Sequence, residues 1–430
     1  MKRGVACVAI VAVLAIGSAY GGSGVAAGAG GLRSYEVTNL ASLGGTSSAG
    51  SSINDRAWVA GFSNLPGDQS QHAALWRNGA LQDLGTLGGA NSAVLWPVKN
   101  VRGMVSGVAE TGAVDPLGER WSCSAFFPAV TGHTCLGFVW AAGSMRALPT
   151  LGGNNGFATG TNDAGQTVGW AENTVHDPTC VGRHQVLQFR AVVWGPGLAQ
   201  IHELPPLAGD TVSAATAVND RGQVVGISGL CDQAVGRFSA IHAVLWDHGI
   251  GKDIGNLGGV AWNTPMAINQ AGDVVGFSNV SAAAGGAFDA QAFLWTQRGG
   301  IRPLGTLPGD VYSQALGINA QRQIVGTSCT AGFATCRAFL WQNGVMTDLN
   351  TLVAPASPHE LFAANDINDF GEITGQAITP NGSAVAFTAT SHSPAGPSVA
   401  AAARGQLLPA PARRALLARS GFRPGDLLRR

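Results

Sequence analysis

An eight-residue pattern that begins with Asn and ends with Gly occurs seven times in the chain, and it limits the folds open to this sequence more than any other feature. It reads NDRGQVVG from Asn219, NDAGQTVG from Asn162 and NDFGEITG from Asn368. The copies are 46 to 62 residues apart and begin at Asn54, Asn100, Asn162, Asn219, Asn269, Asn319 and Asn368. A repeat of this length is typical of a β-propeller or a solenoid.

Two further markers recur in a fixed order after each copy. A glycine-rich linker such as DLGTLGG from Asp83 follows a short apolar run that ends in an aromatic residue. The aromatic residues are Trp76, Trp140, Trp194, Trp246, Trp295, Trp341 and, in the seventh unit, Phe387. Each unit therefore reads as four short strands, and NDRGQVVG is a hairpin corner, because Asn, Asp and Gly suit tight turns.

Four strands in about 50 residues predict one propeller blade. The fold class is thus all-β, a seven-bladed β-propeller of four-stranded blades in residues 34–390. The units start near residues 40, 84, 148, 204, 254, 304 and 349. The seventh unit ends near Thr390 without a fourth strand, whereas Ser34 to Gly45 supply a fourth strand with none before it. The N-terminal strand is therefore expected to complete the last blade and close the ring.

The apolar residues of the repeat should form the contacts between blades. We expect each third-strand Trp to be buried against a neighbouring blade, where its loss would cost about 3–5 kcal/mol. Leucines of the glycine-rich linkers are expected to anchor the passage from one blade to the next. These are Leu87, Leu151, Leu207, Leu257 and Leu307.

The combination of AFLW, NG, DLGTLGG and INDRGQVVG resembles the HAF repeat family of extracellular repeat proteins. The resemblance covers nearly all of residues 34–390, and the second unit departs most because it reads NVRG from Asn100. The resemblance implies export and a propeller-like repeat domain. It implies no established activity, so no catalytic residue is carried over from the family.

Both ends of the chain differ from the repeats. Residues 1–29 are expected to be a cleaved signal peptide, since Lys2 and Arg3 precede an apolar run too short to span a bilayer. The protein is then secreted or associated with the cell envelope, without a transmembrane anchor. Residues 391–430 are rich in Ala, Pro and Arg and are expected to be a disordered basic tail, in which Ala412 to Ser420 could form a short helix.

The charge distribution along the chain limits the classes of ligand that it is expected to bind. The chain has 25 basic and 25 acidic residues, but residues 30–390 contain 16 basic and 24 acidic ones. An acidic body repels phosphate backbones, which argues against nucleic acid. The expected partner is a carbohydrate or an extracellular protein, and the chain is expected to be a monomer.

Six cysteines lie outside the signal, and sequence alone permits 15 pairings among six cysteines. Their loop positions favour two local pairs and one bridge between neighbouring blades. The candidates are Cys123 with Cys135, Cys329 with Cys336, and Cys180 with Cys231. Such bridges either stiffen a binding face or protect the loops from proteases.

The loops between the second and third strands vary most in length and are longest in blades 2, 3 and 4, near residues 109–136, 172–187 and 230–239. Long loops on a rigid frame commonly carry binding function. The candidate ligand-binding residues are Trp121, His133, His176, Asp177, Arg183, His184, Arg190, Asp232 and Arg237.

No catalytic, metal-binding or cofactor-binding motif occurs in the sequence. Asp210 and Asp310 follow linker glycines and are the first carboxylates to inspect for propeller-hydrolase chemistry, although turn roles are the simpler interpretation. The leading hypothesis is a secreted, non-enzymatic binding or scaffold protein. The alternatives are a hydrolase or lyase acting on an extracellular polysaccharide and a purely structural matrix protein.

Overall fold

The computed structural model describes residues 34–121, 123–180, 185–231, 241–280, 288–353, 359–392 and 406–419. All of them belong to one unit, residues 33–430. Within the described residues no helix is long and apolar enough to cross a membrane.

Seven antiparallel four-stranded sheets form the fold, and each is one blade whose strands follow in chain order from the inside outward. The exception is β1 (Ser34–Asn39), which belongs to blade 7. Blade 1 contains β2 (Ser48–Ile53), β3 (Val59–Asn64), β4 (Gln71–Arg77) and β5 (Ala80–Asp83). Blade 2 contains β6 (Gly88–Ala93), β7 (Val105–Val114), β8 (His133–Ala141) and β9 (Ser144–Ala147). Blade 3 contains β10 (Gly156–Thr161), β11 (Thr167–His176), β12 (Leu187–Trp194) and β13 (Ile201–Leu204).

The remaining four blades follow the same plan. Blade 4 contains β14 (Val212–Val218), β15 (Val224–Gly229), β16 (His242–Asp247) and β17 (Ile250–Asp253). Blade 5 contains β18 (Thr264–Ile268), β19 (Val274–Asn279), β20 (Ala290–Thr296) and β21 (Gly300–Gly305). Blade 6 contains β22 (Tyr312–Ile318), β23 (Ile324–Cys329), β24 (Cys336–Gln342) and β25 (Val345–Asp348). Blade 7 contains β26 (Glu360–Ile367), β27 (Ile373–Ile378), β28 (Ala384–His392) and β1. The described helices are α1 (Ala410–Arg419) and three short 3-10 turns, Ser124–Phe126, Ala331–Phe333 and Leu349–Leu352.

The ring closes as the sequence predicts. β1 pairs with β28 in antiparallel register from Ser34 opposite His392 to Asn39 opposite Phe387. Tyr35 is only 2% exposed and packs into the core between blades 6 and 7. The seven-bladed propeller is therefore confirmed, and its last blade is completed by the first strand of the chain.

The repeated glycine on each second strand allows close contact with a bulge in the first strand. In blade 4 the register shifts between Ala215 and Ala217, opposite Gly226. A Cβ at Gly226 would overlap the carbonyl oxygen of Ala214, and the glycine of each other blade faces an equivalent carbonyl. The VVG ending of the repeat is therefore a packing requirement.

The repeated Asn joins each blade to the next at the end of the first strand. In blade 4, Asn219 Oδ1 accepts from the N–H groups of Arg221 and Gln223, which holds the turn. Its Nδ2 donates to the main-chain oxygen of Asn269 in blade 5, 3.1 Å away. Blades 1, 3, 5, 6 and 7 repeat this link to the repeat Asn of the next blade, while blade 2 reaches Thr161 instead. The pattern is therefore a structural connector.

The third-strand tryptophans are buried as expected, with exposures from 0% to 6%. The indole N–H of several of these tryptophans also donates a hydrogen bond to a main-chain oxygen of the preceding inter-blade linker. Trp246 Nε1 donates to the oxygen of Pro205 at 2.8 Å, and Trp194 Nε1 donates to that of Pro149 at 2.9 Å. Of the predicted linker anchors, Leu307 is buried at 2% and the others are partly buried.

Residues 406–419 belong to the segment expected to be a disordered basic tail, and they contain the helix α1 (Ala410–Arg419). Leu408, Ala412, Leu416 and Leu417 are buried in the largest apolar cluster of the propeller. Arg414 Nη1 donates to the oxygen of Pro128 at 2.6 Å, in the long loop of blade 2. Burial of these apolar side chains against the propeller is favourable enough to outweigh the basic composition of the helix. The rest of the tail lies outside the described residues.

Candidate functional site

The two faces of the propeller differ in chemistry. One face, here called the turn face, contains the short turns after the first and third strands. The opposite face, here called the loop face, contains the inter-blade linkers and the long loops between the second and third strands. Because only the loop face varies strongly between blades, the two faces are considered separately as sites.

A cavity of about 150 Å³ lies on the axis at the turn face, lined by residues from all seven blades. Four carboxylates meet there, and each accepts a main-chain N–H from the preceding blade at 2.8 or 2.9 Å. They are Asp55, Asp163, Asp220 and Asp369. Burial and the nearby charge of Asp163 raise the pKa of Asp220. These carboxylates therefore hydrogen-bond neighbouring blades to each other around the cavity and make it acidic.

Lys99, which lines the same cavity, forms a buried ion pair with Asp366. Lys99 Nζ is 2.6 Å from Asp366 Oδ1, and the Asp366 side chain is fully buried. Burial raises the pKa of Asp366, although Lys99 and the main-chain N–H of Ile53 oppose that shift. Since Lys99 is in blade 2 and Asp366 in blade 7, the pair spans blade 1.

Most of the predicted ligand residues that the structure describes have structural partners. The Trp121 ring packs on Phe189 and Trp170, with centroids 4.7 and 5.2 Å apart. Asp177 Oδ1 accepts from the N–H and the hydroxyl of Thr179 at 2.8 and 2.7 Å. Burial alone would raise the pKa of Asp177, but its hydrogen bonds, led by those with Thr211 and Thr179, hold it below its ordinary value. Both residues therefore hold the loops in place.

The other predicted ligand residues differ in their burial and in their hydrogen-bond partners. His133 is partly buried at the start of β8, and His176 is exposed at the end of β11. Arg190 donates to Gln188 Oε1 at 2.6 Å and lies 3.7 Å from Glu203. Four further candidates lie outside the described residues, namely Arg183, His184, Asp232 and Arg237.

Three disulfides join the loops in the pairing that the loop positions favoured. Cys123 pairs with Cys135, Cys180 with Cys231, and Cys329 with Cys336. The second bridge links the long loops of blades 3 and 4. The loop face is therefore cross-linked both within and between blades.

A buried polar network that the sequence analysis missed connects blades 2 and 3. Glu119 Oε1 accepts from the main-chain N–H groups of Val186 and Leu187 at 2.8 and 2.6 Å. Burial, and more weakly the charge of Asp115, raise the pKa of Glu119. Glu172, fully buried, accepts from the N–H of Asn155 at 2.8 Å. These acids hold the long loops in place.

One sequence position, the third residue after the repeat glycine, could have revealed part of this network. It is occupied by Glu110 in blade 2 and Glu172 in blade 3. Glu110 accepts the main-chain N–H of Ala90 in β6, and Glu172 accepts those of Asn154 and Asn155 just before β10. In blade 1 the same position is Asn64. There Asp68 accepts the linker N–H of Thr46 at 2.8 Å in its place.

Asn64 is consequently left with an unused acceptor. Its Nδ2 donates to Asp68 Oδ1 at 3.0 Å, which fixes the orientation of the amide. The residue is 3% exposed, and among the described residues its Oδ1 has no hydrogen-bond partner. A buried carbonyl oxygen without a donor is costly, so this atom marks a place where a donor from another molecule would be favourable.

Asn64 also lines a pocket of about 70 Å³ between blade 1, the long loop of blade 2 and α1. Its walls are mostly apolar and aromatic, and the polar groups are few. The lining residues are Ser47, Phe62, Asn64, Asp68, Gln71, Leu95, Ala125, Phe126, Phe127, Pro128, Pro411 and Arg414. An apolar hollow with a few converging polar groups is the usual form of a small-ligand site.

The two carboxylates singled out for hydrolase chemistry have structural roles. Asp310 pairs with Arg337 at 2.9 Å, and its side chain is 4% exposed. Asp210 accepts from the Ser228 hydroxyl at 2.5 Å. Neither lines the axial cavity. Among the residues described, no group of three or more His, Cys, Asp or Glu is arranged to hold a metal ion.

Comparison with protein-family models gives no match, and comparison with curated proteins gives none either. Several solved structures are similar in fold. The β-propeller domain of the trilobed protease from Pyrococcus furiosus has 7% identity and a TM-score of 0.46, over 83% of this chain and 94% of that one. The acylaminoacyl peptidase of Pyrococcus horikoshii has 9% identity and a TM-score of 0.44, over 77% of this chain and 49% of that one.

The sialidase of Trypanosoma rangeli, in complex with the inhibitor DANA, has 8% identity and a TM-score of 0.36, over 83% of this chain and 55% of that one. This chain therefore spans about half the length of the sialidase and of the acylaminoacyl peptidase. At these identities the similarities concern the propeller fold, and no activity follows from them.

Proposed function

We propose that this protein is an exported, non-enzymatic binding protein of the HAF repeat type, and that its ligand, a carbohydrate or an extracellular protein, binds at the loop face. The observation that carries the proposal is the pocket between blades 1 and 2, lined by Asn64, whose buried Oδ1 has no partner among the described residues. The site is thus displaced from the loops of blades 2–4 toward blade 1.

The loop face supports this role because cross-links hold the described parts of its long loops before any ligand arrives. The Cys123–Cys135 disulfide and the Glu119 contacts hold the described loop residues of blades 2 and 3, and the Cys180–Cys231 disulfide ties the blade 3 loop to Cys231 of blade 4. A pre-ordered surface loses less conformational entropy on binding than a mobile one. The three disulfides also support export, since such bridges persist in oxidising compartments.

The purified chain should be tested on glycan and extracellular-protein arrays, with Arg414→Glu as the variant of reversed charge at the pocket. Arg414 is an exposed pocket residue, so the substitution reverses a charge at the rim and leaves the core untouched. We expect array binding that the variant loses. Binding that is equal for the two proteins would place the ligand elsewhere, and no binding by either would overturn the proposal.

The competing function, hydrolysis or elimination on an extracellular polysaccharide, requires carboxylates free to reach a substrate. At the axis the four turn-face carboxylates accept main-chain N–H groups, and Asp366 is paired with Lys99. Release of reducing or unsaturated ends from acidic and neutral polysaccharides tests this alternative. Turnover that survives repurification and is lost in Asp220→Asn would replace the binding role with an enzymatic one.

A further inference from the structure

Resting on the proposed function, we propose that the pocket between blades 1 and 2 binds the N-acetyl group of an acetamido sugar. The relevant features are the size of the pocket, the free acceptor of Asn64, the aromatic walls and the charged rim.

The size of the pocket selects a small group. At about 70 Å³ it has roughly half the volume of an apolar cavity of about 150 Å³ that accommodates a benzene ring. A sugar ring or an aromatic side chain does not fit inside, whereas an acetamido group with its few heavy atoms does. The remainder of such a ligand would lie outside, across the mouth of the pocket.

The polar and apolar groups match an acetamide. Asn64 Oδ1 requires a donor, and an acetamido group has a single N–H to offer it. Phe62 and Leu95, each 5% exposed, provide an apolar wall for the methyl group. Gln71 Nε2 makes only a long bond of 3.4 Å to the oxygen of Phe126, so it is available to the acetamido carbonyl.

Two charged residues of the pocket lining, Asp68 and Arg414, form its rim and can bind the hydroxyls of a sugar. Asp68 is held in place by Thr46, whose hydroxyl lies 2.8 Å from its Oδ2. Burial alone would raise the pKa of Asp68, but hydrogen bonds to Thr46 and Asn64 keep it below its ordinary value, so the carboxylate accepts bonds at neutral pH. Arg414, which is exposed and donates to Pro128, lines the same pocket and supplies donors. Phe126 is half-buried at the pocket, and such a ring can pack on the C–H face of a sugar.

An acetylated lysine carries the same acetamide, but its aliphatic stem has no hydroxyl for Asp68 or Arg414. The rim therefore favours the sugar. The distinction can be measured, because N-acetylglucosamine and N-acetylgalactosamine differ from glucose and galactose in this one group.

The test is titration calorimetry of the full exported chain with these four sugars and with an Nε-acetyl-lysine peptide. We expect the two acetamido sugars to bind about tenfold or more tightly than glucose and galactose. Asn64→Leu, which keeps the shape and removes the acceptor, should abolish this preference. Arg414→Ala should weaken the acetamido sugars several-fold, and it tests the proposal independently should Asn64→Leu not fold. Gln69→Ala, an exposed change in the same loop that is not part of the pocket lining, should leave affinity unchanged.

The outcomes separate this inference from the proposed function. Equal affinity for sugars with and without the acetamido group, unchanged by Asn64→Leu, contradicts the inference and leaves a binding role for the loop face. Preference for the acetyl-lysine peptide contradicts the sugar assignment. If none of these probes binds and the glycan and protein arrays are also blank, the proposed function fails as well.

Discussion

Asn368 Nδ2 lies 3.0 Å from the main-chain oxygen of Asn54, so the last blade is hydrogen-bonded to the first around the axis. Equivalent bonds link the repeat Asn of most other blades to its neighbour. One polar side chain per repeat thus holds both its own turn and the adjacent blade. The repetition of the pattern reflects the repetition of this contact.

Replacing Asn219 with Ala should lower the stability of the whole propeller. It removes the bond to Asn269 and the acceptor for the N–H groups of Arg221 and Gln223. Leaving these partly buried partners unsatisfied costs about 1–3 kcal/mol, and the midpoint of urea unfolding should fall accordingly. The control is Asn78→Gly, an exposed turn residue with φ of 50°, where glycine fits. A loss of stability in the control as large as in Asn219→Ala would contradict the connector role.

Gly226→Ala should be far more damaging than Gly229→Ala, although both lie on β15. A Cβ at Gly226 would overlap the carbonyl oxygen of Ala214, whereas at Gly229 the nearest atom is 3.7 Å away. We expect a loss of more than about 3 kcal/mol for the first change and less than about 1 kcal/mol for the second. Thermal unfolding of the two variants measures the difference, and similar values would show that the bulge is not tightly constrained.

Tyr35→Ala should loosen the closure of the ring. Tyr35 is 2% exposed and packs with Leu361 and Phe387 in the core of the last blades. Loss of a buried aromatic side chain costs about 3–5 kcal/mol. Hydrogen exchange should increase first in β1 and β28, while exposed Glu36→Ala on the same strand should have little effect. Unchanged exchange in Tyr35→Ala would mean that closure does not depend on this strand.

Glu119→Gln should change how stability varies with pH. Because the folded-state pKa of Glu119 is raised, the folded protein binds this proton more tightly than the unfolded chain. Its contribution to stability is therefore present below the ordinary carboxyl pKa and is lost as the pH rises through the folded value. Glutamine keeps the oxygen that Val186 and Leu187 use and cannot ionise.

The melting temperature of Glu119→Gln should equal that of the parent protein near about pH 4 and exceed it near about pH 7. Other carboxyls titrate in both proteins, so their effects cancel in the difference. A variant that is less stable at neutral pH would show that the charged form of Glu119 is required.

Leu416→Asp should detach α1 from the loop face. Leu416 is 2% exposed, and a buried unpaired carboxylate is strongly unfavourable. The propeller should stay folded, while binding of a hydrophobic dye and protease cleavage near α1 both increase. Ala410→Asp is the control, because Ala410 is exposed and an acid at a helix N-terminus is favourable. Dye binding equal to that of the parent would show that the helix is not held by Leu416.

The sequence by itself determined the propeller, since a repeat with three markers dictates strand order, blade number and the borrowed strand of blade 7. Local spacing also favoured the disulfide pairs, because equivalent loop positions become neighbours once the blades form a ring. Only the tertiary structure decided where the loop face has a pocket. The pocket combines Asn64, its apolar walls and α1 from distant parts of the chain. The apolar surface on which α1 packs exists only after the blades have assembled. Whether a buried polar atom is satisfied depends on its neighbours in space, and no repeat pattern records them.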